Sequence, residues 1–71
     1  MSLITNDSGT FKVEMTYRGY SQHIYSVTKV DGEWPINRRD VAAMCDNRSL
    51  DFFGYDLTVN EDNAYVCIYV D

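Results

Sequence analysis

The chain has 71 residues, 45% of them apolar and 14% aromatic, with a formal net charge of −5. That length allows one small domain, whose core needs most of the apolar side chains and leaves few to wall a deep cleft. The composition excludes a disordered, collagen-like or coiled-coil chain, and no apolar run approaches the ~18–20 residues of a membrane-crossing helix.

Residues 1–9 carry neither the basic start nor the apolar stretch of a signal peptide, and are expected to be loosely ordered. The first clear element follows. Phe11, Val13, Met15 and Tyr17 alternate with Thr10, Lys12, Glu14, Thr16 and Arg18, the pattern of a strand with one buried and one wet face. Gly19 to Gln22 breaks it, and His23 to Val30 reads as a second strand closing a hairpin. There Tyr25 and Val27 share one face while Ile24 and Val30 share the other, a looser alternation that implies a bulge or a central position.

Asp31-Gly32 marks a turn, and a helix start comes next. Asn37 is placed to cap the first turn, with Asp40 at the third helical position as in a capping box. Ile36 and Val41 have the spacing of a hydrophobic staple. Val41, Met44 and Cys45 form one apolar stripe, which ends at Asp46 to Ser49. A helix of about ten residues is marginal alone, so it must lie on a sheet.

Residues 50–59 read as a third strand whose apolar set changes parity, from Leu50 and Phe52 to Phe53, Tyr55, Leu57 and Val59, with Gly54 near the switch. Asn60 to Asn63 is a polar turn. The last strand, Ala64 to Val70, sets Ala64, Val66, Ile68 and Val70 against Tyr65, Cys67 and Tyr69, as expected of a central or interface strand. The sum is an α+β domain over residues 1–71. Its order is ββαββ, a four-stranded antiparallel sheet with one short helix packed on one face.

The chemistry is spare. Cys45 and Cys67 make no disulfide framework and no zinc spacing, so a reducing cytoplasm is the expected compartment. His23 is the sole histidine, which excludes a two-histidine metal site. Asn60, Glu61, Asp62 and Asn63 offer oxygen ligands but lack the EF-hand spacing, and an acidic hairpin turn accounts for them. No catalytic residue, metal or cofactor is expected, and the chain does not read as an enzyme.

Charge and aromatics say more. Residues 1–48 balance six acids against six bases, whereas residues 49–71 hold Asp51, Asp56, Glu61, Asp62 and Asp71 with no base. Solubility alone accounts for a net charge of this size. The same field repels phosphate backbones and anionic lipid and attracts a protein with a basic surface, including one that normally handles nucleic acid. Neither direct nucleic-acid binding nor membrane binding is expected.

Six tyrosines and Trp34 supply the stiff, amphipathic anchors of a protein interface. Asp51, Asp56, Glu61 and Asp62, with Tyr55 and Tyr65, are the expected partner-binding residues. The expected function is that of a small acidic, non-catalytic interaction module. In size and charge, though in no residue motif, it is similar to phage and mobile-element inhibitors of the anti-CRISPR or DNA-mimic type. The alternative is a structural or accessory subunit that homodimerises through its sheet.

Overall fold

The alternating segments pair into one antiparallel sheet, and the capped segment forms a helix on one side of it. The computed structural model describes residues 2–46 and 54–69. Its elements are β1 (Ser2–Thr5), β2 (Gly9–Arg18), β3 (Gln22–Gly32), α1 (Arg38–Asp46), β4 (Tyr55–Val59) and β5 (Asn63–Tyr69), with spatial order β1-β2-β3-β5-β4.

The sheet has five strands, not the four expected. The addition is β1, inside the segment expected to be loosely ordered. A polar side chain builds it: Asn6 Oδ1 accepts from the amides of Ser8 (2.8 Å) and Gly9 (3.2 Å), and the Asn6 amide donates to the Gly9 carbonyl. That tight turn lays Ser2–Thr5 along β2, from Ser2 opposite Val13 to Thr5 opposite Thr10. The element order is therefore βββαββ.

The expected third strand is described from Tyr55 to Val59, while its start at Leu50, Phe52 and Phe53, like Val70 and Asp51, lies outside the described residues. β5 pairs with β3 on one edge and β4 on the other, which explains the apolar side chains on both its faces. The connection through α1 thus skips a strand and makes β3 and β4 parallel. No helix among the described residues is long and apolar enough to cross a membrane.

Phe11, Val13, Tyr25, Val27, Leu57, Ala64, Val66 and Ile68 form the sheet's half of the core, with Val41 and Ala42 of α1 against them. Trp34 stacks on Phe11 at a centroid separation of 5.2 Å, and its Nε1–H donates to the Glu61 carbonyl at 3.0 Å. Asn37 caps the helix as expected, its Oδ1 accepting from the Arg39 amide at 2.9 Å. The staple does not form, because Ile36 is fully exposed. The buried stripe also shifts. Val41 and Ala42 are fully buried while Met44 and Cys45 are half-buried, since the small Ala42 lets the helix close on the sheet and leaves Met44 at the margin.

Two irregularities reshape the strands. At the first, β3 advances two residues against one of β2, between Asp31 and Lys29, so that Val30 is extra. At the second, β2 advances from Met15 to Tyr17 while β3 moves only from Tyr25 to Ile24, which makes Thr16 the extra residue. The Thr16 hydroxyl donates to the Ile24 carbonyl at 3.2 Å and holds the bulge. The expected burial of Tyr17 alongside Phe11 and Val13 is thereby corrected. The bulge reverses the parity of β2 and turns Tyr17 to the opposite face, where it is 52% exposed. Both a bulge and a central position thus apply to β3.

At the far end of this hairpin, Gly32 has a φ of 88° and lies against Gly9. A Cβ on Gly32 would meet the Ser8 carbonyl oxygen and the Gly9 Cα, the latter at 2.6 Å. Gly32→Ala is therefore expected to cost roughly 1–3 kcal/mol in urea unfolding. Val41→Asp is expected to abolish the cooperative melt, since an unpaired buried carboxylate costs several kcal/mol against a total stability of about 5–15 kcal/mol. Met44→Asp, at the margin, should retain a melt at a lower midpoint.

Candidate functional site

One short helix covers one side of a five-stranded sheet, and among the described residues the other side is bare. Register assigns its residues. Side chains of paired residues share a face, so Tyr17, Ile24, Cys67 and Asp56 form one row across β2, β3, β5 and β4. The next row is Glu14, Ser26, Tyr65 and Thr58. Gln22 and Tyr69 extend the patch beyond the first row, and Leu3 with Lys12 lies at the β1 side.

Tyr65 is 53% exposed and Tyr17 nearly the same, while Ile24, Cys67 and Tyr69 are half-buried between them. A shallow depression on this face is lined by Ile24, Asp56, Thr58, Tyr65 and Cys67. Polar contacts fix its lower edge. The Tyr69 hydroxyl donates to Asp56 Oδ2 at 2.6 Å, and the Cys67 thiol to Gln22 Oε1 at 3.6 Å. The Tyr69 phenol is pushed up to about 12, because Asp56 accepts its proton in a hydrogen bond and repels the phenolate, with Cys67 adding in the same sense.

The expected binding residues divide. Asp56 and Tyr65 lie together on the bare face. Tyr55 is on the helix side, paired with Ile68, so the sheet separates it from them. Glu61 and Asp62 occupy the β4–β5 turn, where the Asn60 amide bonds the Asn63 carbonyl and Asn60 Nδ2 bonds Asn63 Oδ1 at 3.1 Å. Asp51 lies outside the described residues.

The fold also recruits acids that the linear charge count assigned to a balanced half. The Lys29 amide donates to the Asp62 carbonyl and the Glu33 amide to the Ser8 carbonyl. Asp31 and Glu33 therefore reach the same end of the sheet as Glu61 and Asp62. Sequence reasoning missed Tyr17, because no residue type signals the Thr16 bulge; Tyr69 was legible from the alternation of β5.

His23 is on the helix side, opposite Ile68, with Nδ1 buried and without a hydrogen-bond partner among the described residues. The sheet thus stands between it and Cys67 or Ser26. Cys45 is on the helix, its thiol 3.9 Å from the Val41 carbonyl. Among the described residues no three His, Cys, Asp or Glu side chains are grouped to hold a metal ion. Compared with protein families, curated proteins and solved structures, the chain matches none.

The Tyr69–Asp56 bond has a pH signature. A phenol whose folded pKa lies above its unfolded value of 10 contributes stability that is fully present below pH 10 and lost as pH rises through about 12. Absorbance titration at 295 nm should show one phenol ionising near pH 12. Asp56→Asn should move that step back toward 10, and an unchanged step would remove Asp56 as its cause.

Proposed function

We propose that this chain is a non-catalytic interaction module that binds a basic protein surface through its helix-free sheet face. The observation that supports this best is the row Tyr17–Ile24–Cys67–Asp56 beside Tyr65, an exposed aromatic and apolar patch edged by a carboxylate. Single exposed apolar residues are ordinary on a surface, but a contiguous set on one flat face is a binding feature. Tyrosines supply contact area with few rotamers to freeze, and Asp56, Glu61 and Asp62 supply the field that orients a cationic partner.

The mechanism is occupancy. Carboxylates set against lysines and arginines deny them to phosphates, and the tyrosines slow release. In its finer form the proposal is an inhibitor of the anti-CRISPR or DNA-mimic type, acting on a nucleic-acid-handling protein. The bare face carries Lys12, Glu14, Asp31 and Asp56, a net −2, in place of the continuous basic groove that a single-strand binder needs. The exposed Leu3, Tyr17 and Tyr65 of that face favour a second reading, a homodimer formed sheet to sheet.

Charge and salt separate the two. Proteins retained by the immobilised chain at 50 mM salt are identified, purified and titrated by calorimetry. Asp56→Lys with Glu61→Lys and Asp62→Lys should leave the far-ultraviolet spectrum unchanged and weaken binding at least tenfold. Binding should also fall as the Debye length drops from about 10 Å at 0.1 M toward 3 Å at 1 M salt. Salt-insensitive self-association in sedimentation, weakened by Tyr65→Ala and indifferent to the lysine reversals, would instead establish the homodimer. Unchanged partner affinity in the reversed protein would refute the acidic-face mechanism.

A further inference from the structure

The sheet ends in two outer strands, β1 and β4, and their free edges differ. We propose that a second copy of this chain pairs along the free edge of β1, strand to strand. Antiparallel ladders alternate between residue pairs that exchange both main-chain hydrogen bonds and pairs that exchange none. The Asn6 amide donates to the Gly9 carbonyl at 2.9 Å, which fixes the phase for β1. Counting back, Ile4 and Ser2 turn their main-chain groups toward Phe11 and Val13, while Leu3 and Thr5 turn theirs away from the sheet. The next ladders agree. The Lys29 amide donates to the Asp62 carbonyl, and the same count through β3 turns the main chain of Lys12 toward Thr28 and away from Leu3. Among the described residues, the N–H and C=O groups of Leu3 and Thr5 therefore stand open along this edge.

The edge selects its occupant. Set antiparallel across a two-fold axis at Ile4, two β1 strands place Leu3 of each copy opposite Thr5 of the other, a register that uses every outward donor and acceptor. Leu3, 69% exposed on the bare side, then lies diagonal to Leu3 of the second copy, and half-buried Ile4 meets its own mate on the helix side. Charge permits the meeting here. Each copy carries −5, yet Ser2-Leu3-Ile4-Thr5 holds no charge, and Leu3 pairs with Lys12 and not with an acid. The edge of β4 is obstructed, because Arg38 Nη2 takes the Leu57 carbonyl at 2.6 Å. With one edge open and one guarded, pairing closes at two copies and does not run on into a fibre. The axis stands normal to the sheet, so both tyrosine faces end on one side of a continuous sheet. This dimer leaves Tyr65 uncovered, unlike one formed face to face, and the proposed binding of a basic protein does not need it.

Sedimentation equilibrium and amide hydrogen exchange on the full chain test the pairing, at concentrations up to about 1 mM because an interface this small is of the weak class. A monomer–dimer equilibrium is expected. Exchange at the Leu3 and Thr5 amides should slow at least tenfold as concentration rises, whereas the Ile4 amide, bonded to β2, is protected throughout. Leu3→Pro removes an outward N–H that β2 does not use, so the melt should stay cooperative while self-association weakens at least tenfold. Leu3→Asp, at an exposed position, sets two carboxylates diagonally across the axis and should weaken it as much with an unchanged fold. Tyr65→Ala should leave the dimer constant as it is. Exchange at Leu3 and Thr5 that ignores concentration, or self-association weakened by Tyr65→Ala and indifferent to Leu3→Asp, would overturn the inference. A monomer at every concentration would overturn it alone, since the tyrosine face can hold a basic partner without a second copy.

Discussion

One extra residue in one strand decides what the surface of this protein looks like. Without the bulge at Thr16, side chains of β2 would alternate strictly, and Tyr17 would follow Phe11, Val13 and Met15 toward the helix side. With it, Tyr17 crosses to the bare face and stands opposite Ile24, in line with Cys67 and Asp56. The Thr16 hydroxyl gives the bulge a bond of its own, to the carbonyl of that same Ile24. A bulge adds local twist as well as parity, which suits a strand end that presents a side chain outward.

The second constraint is scarcity. A nine-residue helix packs against β2, β5 and β4, and among the described residues its buried contribution narrows to Val41 and Ala42. Trp34 extends the cover by stacking on Phe11, anchored at its own end by the Glu61 carbonyl. Arg38 completes it from the other direction. Its Nη2 donates to the Leu57 carbonyl at 2.6 Å, on the outer edge strand β4. That contact satisfies an edge acceptor and puts a cation where a foreign strand would otherwise pair. The unshielded face is what remains, and its composition determines whether it is merely wet or adhesive. Here it carries Tyr17, Tyr65 and Tyr69.

Much of this was legible in the chain. The alternations of β2 and β5, the Asn37 cap and the acidic Asn60–Asn63 turn follow from residue types and spacing alone, because each rests on local chemistry. What was not legible depends on distant partners. β1 exists because Asn6 folds back on Ser8 and Gly9 and finds β2 alongside, and SLIT alone is too short to declare itself a strand. The Thr16 bulge is a mismatch between two strands, invisible in either one. The pairing of Tyr55 with the wrong companions has the same origin: proximity in sequence to Asp56 is separation in space once the two sit on opposite faces of β4. Conversely, Asp31 and Glu33 belong to a balanced half of the chain and still join Glu61 and Asp62 at one end of the sheet.

The tyrosine face and the acidic sheet end both depend on this arrangement, but the bulge is the feature from which the binding face follows. The most direct measurement is the set of nuclear Overhauser contacts of the Tyr17 ring in the free protein. Contacts to the Ile24 side chain and the Gly19 backbone, with none to Tyr25 or Val41, are the expected result. A Tyr17 ring in contact with Tyr25 and the helix would mean that β2 runs without its bulge, and the bare face would lose the residue on which the account turns.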